Sequence, residues 1–313
     1  TMAAAAGFLF FGIGSSLGSW DFWGPALGFV IAIAAACGLL FVLTVAMLTP
    51  PSANRAPLVR LYLLGAWLIT TCVAIGLASL LQSGDFILPW LSGWMMLLNV
   101  SIVVSSGERE DWGPRIRRTI PRNPVLRAGA MLLYSGAAGG LLFNVGMVGL
   151  TLLVVWLWVW AFGQHTGFIS MDDLKETIKV TGPMTLLVLA YTLTAVLIRR
   201  HVLRGAVKTP VVPALTAALL ALATVLPMIV AFFLAPQTWY RHDDYWLLPN
   251  PLGSMINSDD ATFRFNQLIL GAIWSAVAAL LCLPWFIQQV KRFQPLTPRP
   301  VATEQPATTA APA

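Results

Sequence analysis

The chain has 313 residues, of which 58% are hydrophobic and only 10% are charged, whereas soluble domains average about 45 to 50% apolar and about 25% charged residues. This composition excludes an ordinary soluble domain and predicts that most of the chain lies in a lipid bilayer. The net charge of +6 does not indicate a nucleic-acid partner, because the basic residues are spread among short connections between apolar runs.

Apolar runs along the chain predict the membrane-spanning segments, since a helix that crosses a bilayer needs about 20 residues. In chain order the predicted spans are residues 3–19, 25–48, 58–81, 86–105, 128–162, 181–198, 211–234 and 265–287. They predict an all-α, polytopic integral membrane protein with about eight transmembrane helices. The run 128–162 is too long for one untilted span, so its first turns are expected to form an interfacial helix or a kinked approach.

The charges of the connections predict the orientation of these spans. Connections on one side of the predicted bundle carry 15 of the 19 basic residues, and those on the other side carry the remaining 4. Lys and Arg are retained in cytoplasmic loops during membrane insertion. Both termini are therefore predicted to be cytoplasmic.

The predicted spans offer little chemistry. Their central parts hold uncharged polar residues such as Asn99, Asn144 and Thr192, and the three histidines lie at or beyond span ends. The three cysteines stand singly, without metal-ligand spacing, and the HExxH, GxSxG and P-loop signatures are missing. We expect no catalytic, cofactor-binding or metal site, leave open whether the chain is an enzyme, and disfavour an intramembrane enzyme.

The most distinctive polar stretch is residues 105–127, SSGEREDWGPRIRRTIPRNPVLR, which we call the basic segment. It contains three acidic and six basic residues between two predicted spans. One interpretation is a cytoplasmic loop that contacts anionic membrane lipids. The other is a short docking helix that receives a cytosolic subunit.

The basic segment resembles the coupling segment of ABC-2 type transporter permeases. The resemblance lies in Glu-Arg-Glu at 108–110, shortly after a span, followed by Thr-Ile-Pro at 119–121. It implies that the segment contacts a separate cytosolic P-loop ATPase. The implied partner-docking residues are Glu108, Arg109, Glu110, Arg115, Arg117, Arg118, Thr119 and Pro121.

The loop before the last predicted span is similar to the outer re-entrant element of the same family. It contains Trp239, Tyr240, Trp246 and the run Pro249-Asn250-Pro251. Such Trp and Tyr side chains suit a backbone that lies in the membrane interface. The resemblance thus implies an outer interfacial loop.

The resemblance covers residues 58–293, which it implies form a six-helix ABC-2-like domain. Residues 1–57 are predicted to form two further N-terminal transmembrane helices and a cytoplasmic linker. Residues 294–313 are rich in Pro, Thr and Ala, and this composition predicts a disordered cytoplasmic tail.

The resemblance implies an ABC-2-like exporter subunit in a bacterial inner membrane that moves a lipid, glycan or drug-like substrate, with a homo- or hetero-dimeric permease partner. The alternative is a non-catalytic scaffold subunit of a larger respiratory or photosynthetic membrane complex.

Overall fold

The structure of the chain, a computed structural model, describes residues 34, 37–42, 44–45, 48, 54–81, 87–110, 112–162, 171–203, 211–234, 247–256 and 260–296. Within these ranges the ordered elements are helices joined by short connections. They are α1 (Ala56–Leu81), α2 (Ile87–Ser105), α3 (Pro114–Thr119), α4 (Pro124–Leu133), α5 (Ala137–Phe162), α6 (Met171–Leu197), a π-helical turn (Ile198–Val202), α7 (Val211–Leu234), α8 (Gly253–Ile256) and α9 (Ala261–Arg292).

Five of the described helices, α1, α5, α6, α7 and α9, are long and apolar enough to cross a membrane. Helix α2 is also apolar but shorter. Many large apolar side chains on these helices remain exposed, as expected where lipid rather than water surrounds a protein. The described part of the chain therefore has the architecture of a polytopic integral membrane protein.

Helix α6 lies at the centre of the bundle. It packs most extensively against α9 and also contacts α2 and α7. Of the apolar stretch of α6 that is long enough to cross a membrane, 56% is buried, whereas only 11% of the corresponding stretch of α7 is buried. Side chains of α6 that face its neighbours, such as Leu187 and Ala190, are completely buried. Helix α7 is instead peripheral and exposes most of its apolar surface.

The observed helices test the predicted span limits. Helices α1, α2 and α7 begin and end within two residues of their predictions. The predicted start of the span 181–198 is wrong, because the corresponding helix, α6, already begins at Met171 and continues through Pro183. Helix α9 also extends beyond 265–287 at both ends. In both cases the hydrogen-bonded helix continues beyond the apolar run, through exposed charged residues such as Lys175 and Lys291.

The long predicted run 128–162 is broken, as expected, into two helices. Asn123 caps the start of α4 by accepting a hydrogen bond from the Val125 N–H. Helix α4 ends at Leu133, and α5 begins at Ala137. Between them Gly136 adopts a φ of 151°, a conformation that side-chain-bearing residues rarely adopt. The turn allows α4 to fold back against the beginning of α5.

Two predicted spans and the predicted tail fall largely outside the described residues. The span 3–19 lies wholly outside them, and the span 25–48 is described only at scattered helical positions from Ala34 to Leu48. Of the predicted tail, only residues 294–296 are described.

The close approach of α4 and α5 predicts a position-specific effect of adding one methyl group. A Cβ at Gly139 would collide with the backbone oxygen of Met131, whereas a Cβ at Gly146 would meet open space. We expect Gly139→Ala to lower the free energy of unfolding by about 1 to 3 kcal/mol, because the helices must separate. Gly146→Ala, the matched control in the same helix, should be neutral or slightly stabilising. Unfolding with sodium dodecyl sulfate in mixed micelles measures both, and equal stabilities would contradict this packing.

Candidate functional site

The basic segment contains an amphipathic short helix, α3. Its apolar residue Ile116 and the following Ile120 are buried, while Arg115 and Arg118 are exposed. Pro114 occupies the first turn, where its missing N–H is not needed. Helix α3 thus lies against the bundle through its isoleucines and presents arginines outward.

Aromatic contacts of Trp112 and Tyr134, on either side of α3 in the sequence, anchor the basic segment to the end of α9. The indole of Trp112 donates a hydrogen bond to the Ser135 carbonyl at 2.5 Å. Its ring meets Phe293 edge-on at 5.1 Å between centroids, and Tyr134 meets Phe293 at 5.6 Å. Because Phe293 is buried directly after α9, the segment and the last span share one apolar core.

An ion pair ties the segment to α1. Arg60, only 4% exposed, donates from Nη2 to Oε2 of Glu108 at 2.5 Å. Its Nη1 donates to the carbonyls of Leu132 at 2.7 Å and Tyr134 at 2.6 Å, which lie at the end of α4, where carbonyls have no helical partner. Glu108 also accepts a hydrogen bond from the Gly136 N–H at 2.7 Å. One buried guanidinium thus joins α1, α4 and the basic segment.

A second ion pair ties the segment to α6 and α9. Arg199, in the π-helical turn that follows α6, donates to Glu110 at 2.7 Å. Gln289 of α9 contacts the other carboxylate oxygen of Glu110 at 3.5 Å. We call Arg60, Glu108, Glu110, Arg199 and Gln289 the ion-pair cluster. It fixes the segment to the ends of three membrane-spanning helices.

The structure separates the predicted partner-docking residues into two groups. Arg109, Arg115, Arg118 and Thr119 are exposed, and Arg117 and Pro121 are partly buried. Glu108 and Glu110 instead use their carboxylates within the chain.

Arg60, Arg199 and Gln289, which hold these carboxylates, were not among the residues singled out from the sequence. The sequence nevertheless contained a signal for arginine partners. Glu108 and Glu110 lie on the predicted cytoplasmic side of the bundle, which carries most of the arginines, and a carboxylate shielded from water needs an opposite charge nearby.

The second candidate site is residues 247–256, which we call the Pro-Asn-Pro turn. Asn250 is completely buried, and its side-chain oxygen accepts from the Leu252 N–H at 2.9 Å, closing a local turn. Tyr191 of α6 donates to the Pro249 carbonyl at 2.9 Å. Gln267 of α9 donates to the Asn250 carbonyl at 2.6 Å and to the Leu248 carbonyl at 3.2 Å.

These contacts place the tip of the Pro-Asn-Pro turn inside the bundle. Helix α6 ends at the ion-pair cluster, so it begins at the opposite end, and Tyr191 lies in its second half. Ser254, further along the turn, donates to the Val180 carbonyl nearer the start of α6 at 3.0 Å. The turn therefore enters from the end opposite the ion-pair cluster and reaches about the middle of α6. Trp239, Tyr240 and Trp246 lie outside the described residues.

Gln267 should be essential to the Pro-Asn-Pro turn, since carbonyls at membrane depth need partners within the protein. Gln267→Leu keeps the volume but removes the donor to both carbonyls. The Asn250 carbonyl still accepts from the Gly253 N–H, whereas the Leu248 carbonyl loses its Gln267 partner, so we expect a loss of about 1 to 3 kcal/mol in the free energy of unfolding. Asn266→Leu, at a partly exposed neighbouring position, is the matched control and should change stability little. Detergent unfolding of both variants tests this; a neutral Gln267→Leu would show that these hydrogen bonds are dispensable.

Among the described residues, no group of three or more His, Cys, Asp and Glu side chains could hold a metal ion. The polar contacts that distinguish that part of the chain are the ion pairs Arg60–Glu108 and Arg199–Glu110 and the hydrogen bonds of the Pro-Asn-Pro turn. Comparison with known proteins finds no matching protein family, no matching curated protein and no matching solved structure.

Proposed function

We propose that this chain is the membrane-spanning subunit of an ABC-2-like exporter that a separate cytosolic P-loop ATPase drives. The observation that carries the proposal is the attachment of the basic segment to α1, α6 and α9 through the ion-pair cluster. The exposed arginines of α3 form the surface for the ATPase, and the buried side of the segment connects that surface to the spans.

The ion-pair cluster gives this arrangement a physical means of coupling. Packed helices and buried ion pairs adopt discrete arrangements rather than deforming continuously. A displacement of α3 would pull on Glu108 and Glu110 and so shift α1 and α6 relative to each other. This route needs no ionisable residue in the middle of the spans.

The Pro-Asn-Pro turn supports the same function from the other end of the bundle. It is held between α6 and α9 by Tyr191 and Gln267, and α6 and α9 also carry Arg199 and Gln289 of the ion-pair cluster. Movement at one end of these two helices therefore reaches the other end. We propose that the turn forms part of the gate through which a lipid, glycan or drug-like substrate leaves.

The proposal includes an orientation and an assembly. The end that holds the ion-pair cluster faces the cytoplasm, following the excess of arginine in its connections, and the membrane is a bacterial inner membrane. The largely exposed apolar surface of α7 is available for lipid or for a second permease subunit. The eight-span count rests on the two predicted N-terminal spans.

The test is purification of the native complex in a mild detergent, with mass spectrometry of the proteins that remain bound. We expect a stoichiometric P-loop ATPase. Arg115→Glu combined with Arg118→Glu should release it, because both side chains are exposed on α3 and their reversal repels an acidic docking surface. Lys291→Glu combined with Arg292→Glu is the matched control: it makes the same charge change at exposed residues of α9.

Release of the ATPase by the α3 variant alone would support docking on the basic segment. Equal release by both variants would indicate a general charge effect and contradict that assignment. Redox or pigment subunits without an ATPase would overturn the exporter proposal and favour a scaffold subunit.

A further inference from the structure

Every exposed residue of helix α4 is apolar. The charged side chain of this helix, Arg127, is half-buried, and Val125 and Leu126 are 76% and 63% exposed. The helix has only ten residues, too few to cross a bilayer. Its exposed face therefore needs an apolar environment that a membrane-spanning position does not supply. The exposed residues are Pro124, Val125, Leu126, Ala128, Gly129 and Leu132.

The neighbours of α4 fix its level in the bundle. Arg60, near the start of α1, donates to the carbonyls of Leu132 and Tyr134 at the end of α4, and α4 packs against both α1 and α5. The stretches of α1 and α5 that are long and apolar enough to cross a membrane begin at Ala56 and Ala137. Helix α4 thus lies where two such stretches begin, which is the level of the lipid headgroups.

The sequence around α4 carries only positive charge. Between residues 112 and 134 there are five arginines and no acidic residue, and Arg122, just before α4, is exposed. A guanidinium donates paired hydrogen bonds to the oxygens of a phosphate group. An anionic phospholipid complements both features, because its headgroup matches the positive charge and its acyl chains match the apolar face of α4.

We propose that α4 lies in the headgroup layer of the membrane, where Arg122 binds the phosphate of an anionic phospholipid and Val125 and Leu126 contact its acyl chains. The leaflet is the one at the end of the bundle that holds the ion-pair cluster. Lipid binding at α4 requires no ATPase and so goes beyond the proposed function. The arginines assigned to ATPase docking, Arg115 and Arg118, have no part in it.

The experiment uses the full chain in phosphatidylcholine vesicles that contain a small fraction of phosphatidylglycerol. In one preparation the phosphatidylglycerol carries a photoreactive diazirine in an acyl chain, and in the other an equal amount of phosphatidylcholine carries it. Peptide mass spectrometry after illumination should locate adducts of both lipids on α4, with more from phosphatidylglycerol. Adducts on α7, whose apolar surface is largely exposed, serve as the reference for each lipid.

A first pair of variants tests the charge. Arg122→Gln should lower the labelling of α4 by phosphatidylglycerol about fivefold, the contribution of one basic residue near an anionic surface, and leave labelling by phosphatidylcholine unchanged. Arg292→Gln, at an exposed residue of α9, is the matched control and should change neither. Equal labelling by the two lipids in the natural chain, or equal effects of the two variants, would overturn the proposed selectivity.

A second pair tests the apolar face. Val125→Asp places a carboxylate on this face and should lower the labelling of α4 by both lipids about threefold. Val202→Asp makes the same change at a similarly exposed valine, 70% exposed, and should leave it unchanged. All four replaced residues are exposed, so the variants should fold normally, which thermal unfolding checks. Equal effects of the two aspartates would contradict insertion of α4.

Two further outcomes concern other occupants of this surface. The absence of adducts of either lipid on α4 would show that protein covers its apolar face, and would overturn the proposal. Soluble glycerol phosphate tests whether Arg122 binds a free phosphate instead. Loss of the preference for phosphatidylglycerol in its presence, but not in sodium chloride of equal ionic strength, would overturn the lipid assignment, and an unchanged preference would support it. No ATPase is present, so failure of ATPase docking would not alter these results.

Discussion

Replacing Arg60 with alanine should lower the free energy of unfolding by about 3 kcal/mol, since removing one partner of a buried ion pair leaves the other charge uncompensated. The Arg60 guanidinium is 4% exposed and serves Glu108 as well as two carbonyls at the end of α4. Its loss should therefore loosen the junction of α4 and α5 together with the basic segment. Unfolding with sodium dodecyl sulfate in mixed micelles measures the change.

A double-mutant cycle separates the ion pair from the other contacts of each residue. We expect Arg60→Ala with Glu108→Ala to cost about 1 to 3 kcal/mol less than the sum of the single changes. Lys291→Ala, at an exposed residue near the same end of the bundle, is the control and should stay within about 0.5 kcal/mol of the natural protein. Additive single effects would contradict a direct Arg60–Glu108 interaction.

Reversing the charge of Arg199 should uncouple ATP hydrolysis from the membrane subunit with a smaller effect on folding. Arg199 and Glu110 retain 14% and 20% of their side-chain exposure, so water screens part of the repulsion that Arg199→Glu creates. The segment then loses its attachment to α6. We expect ATPase activity of the reconstituted complex to fall by roughly tenfold, which corresponds to an increase of about 1.4 kcal/mol in the activation free energy.

The exchanged pair provides the decisive comparison. Arg199→Glu combined with Glu110→Arg restores opposite charges and should recover most of the activity, whereas Lys291→Glu should leave activity unchanged because it lies outside the ion-pair cluster. Failure of the exchanged pair to recover activity, with a folded protein, would show that the charge pairing is not what couples the segment to α6.

The two intramolecular ion pairs decide which residues of the basic segment can report on partner binding. Replacing Glu108, Arg109 and Glu110 together would break two intramolecular ion pairs along with any partner contact. Arg109, Arg115 and Arg118, which are exposed, probe partner binding more directly. Stability measurements on the glutamates and binding measurements on the arginines thus report on different functions of one segment.

The amino-acid sequence by itself determined the helical membrane architecture. Runs such as 211–234 contain enough apolar residues to cross a bilayer, and a chain in lipid must satisfy its backbone within each helix, so composition and length sufficed to predict α1, α2 and α7. The break within 128–162 was also predictable from its excess length. The sequence did not predict the extra turns at the start of α6 and at both ends of α9. Propagation of a helix through charged residues depends on local hydrogen bonding and on neighbouring helices rather than on hydropathy.

Only the tertiary structure decided what the polar residues do. Charge counting placed Glu108 and Glu110 among arginines, but which arginine each carboxylate meets depends on how α1, α6 and the basic segment converge. Asn99 and Asn144 look alike in sequence, and both keep a buried side-chain oxygen without a hydrogen-bond partner among the described residues, but the amide nitrogen of Asn144 donates to Ser105 of α2. Pairings between residues far apart in the chain follow from helix packing, which local sequence patterns do not encode.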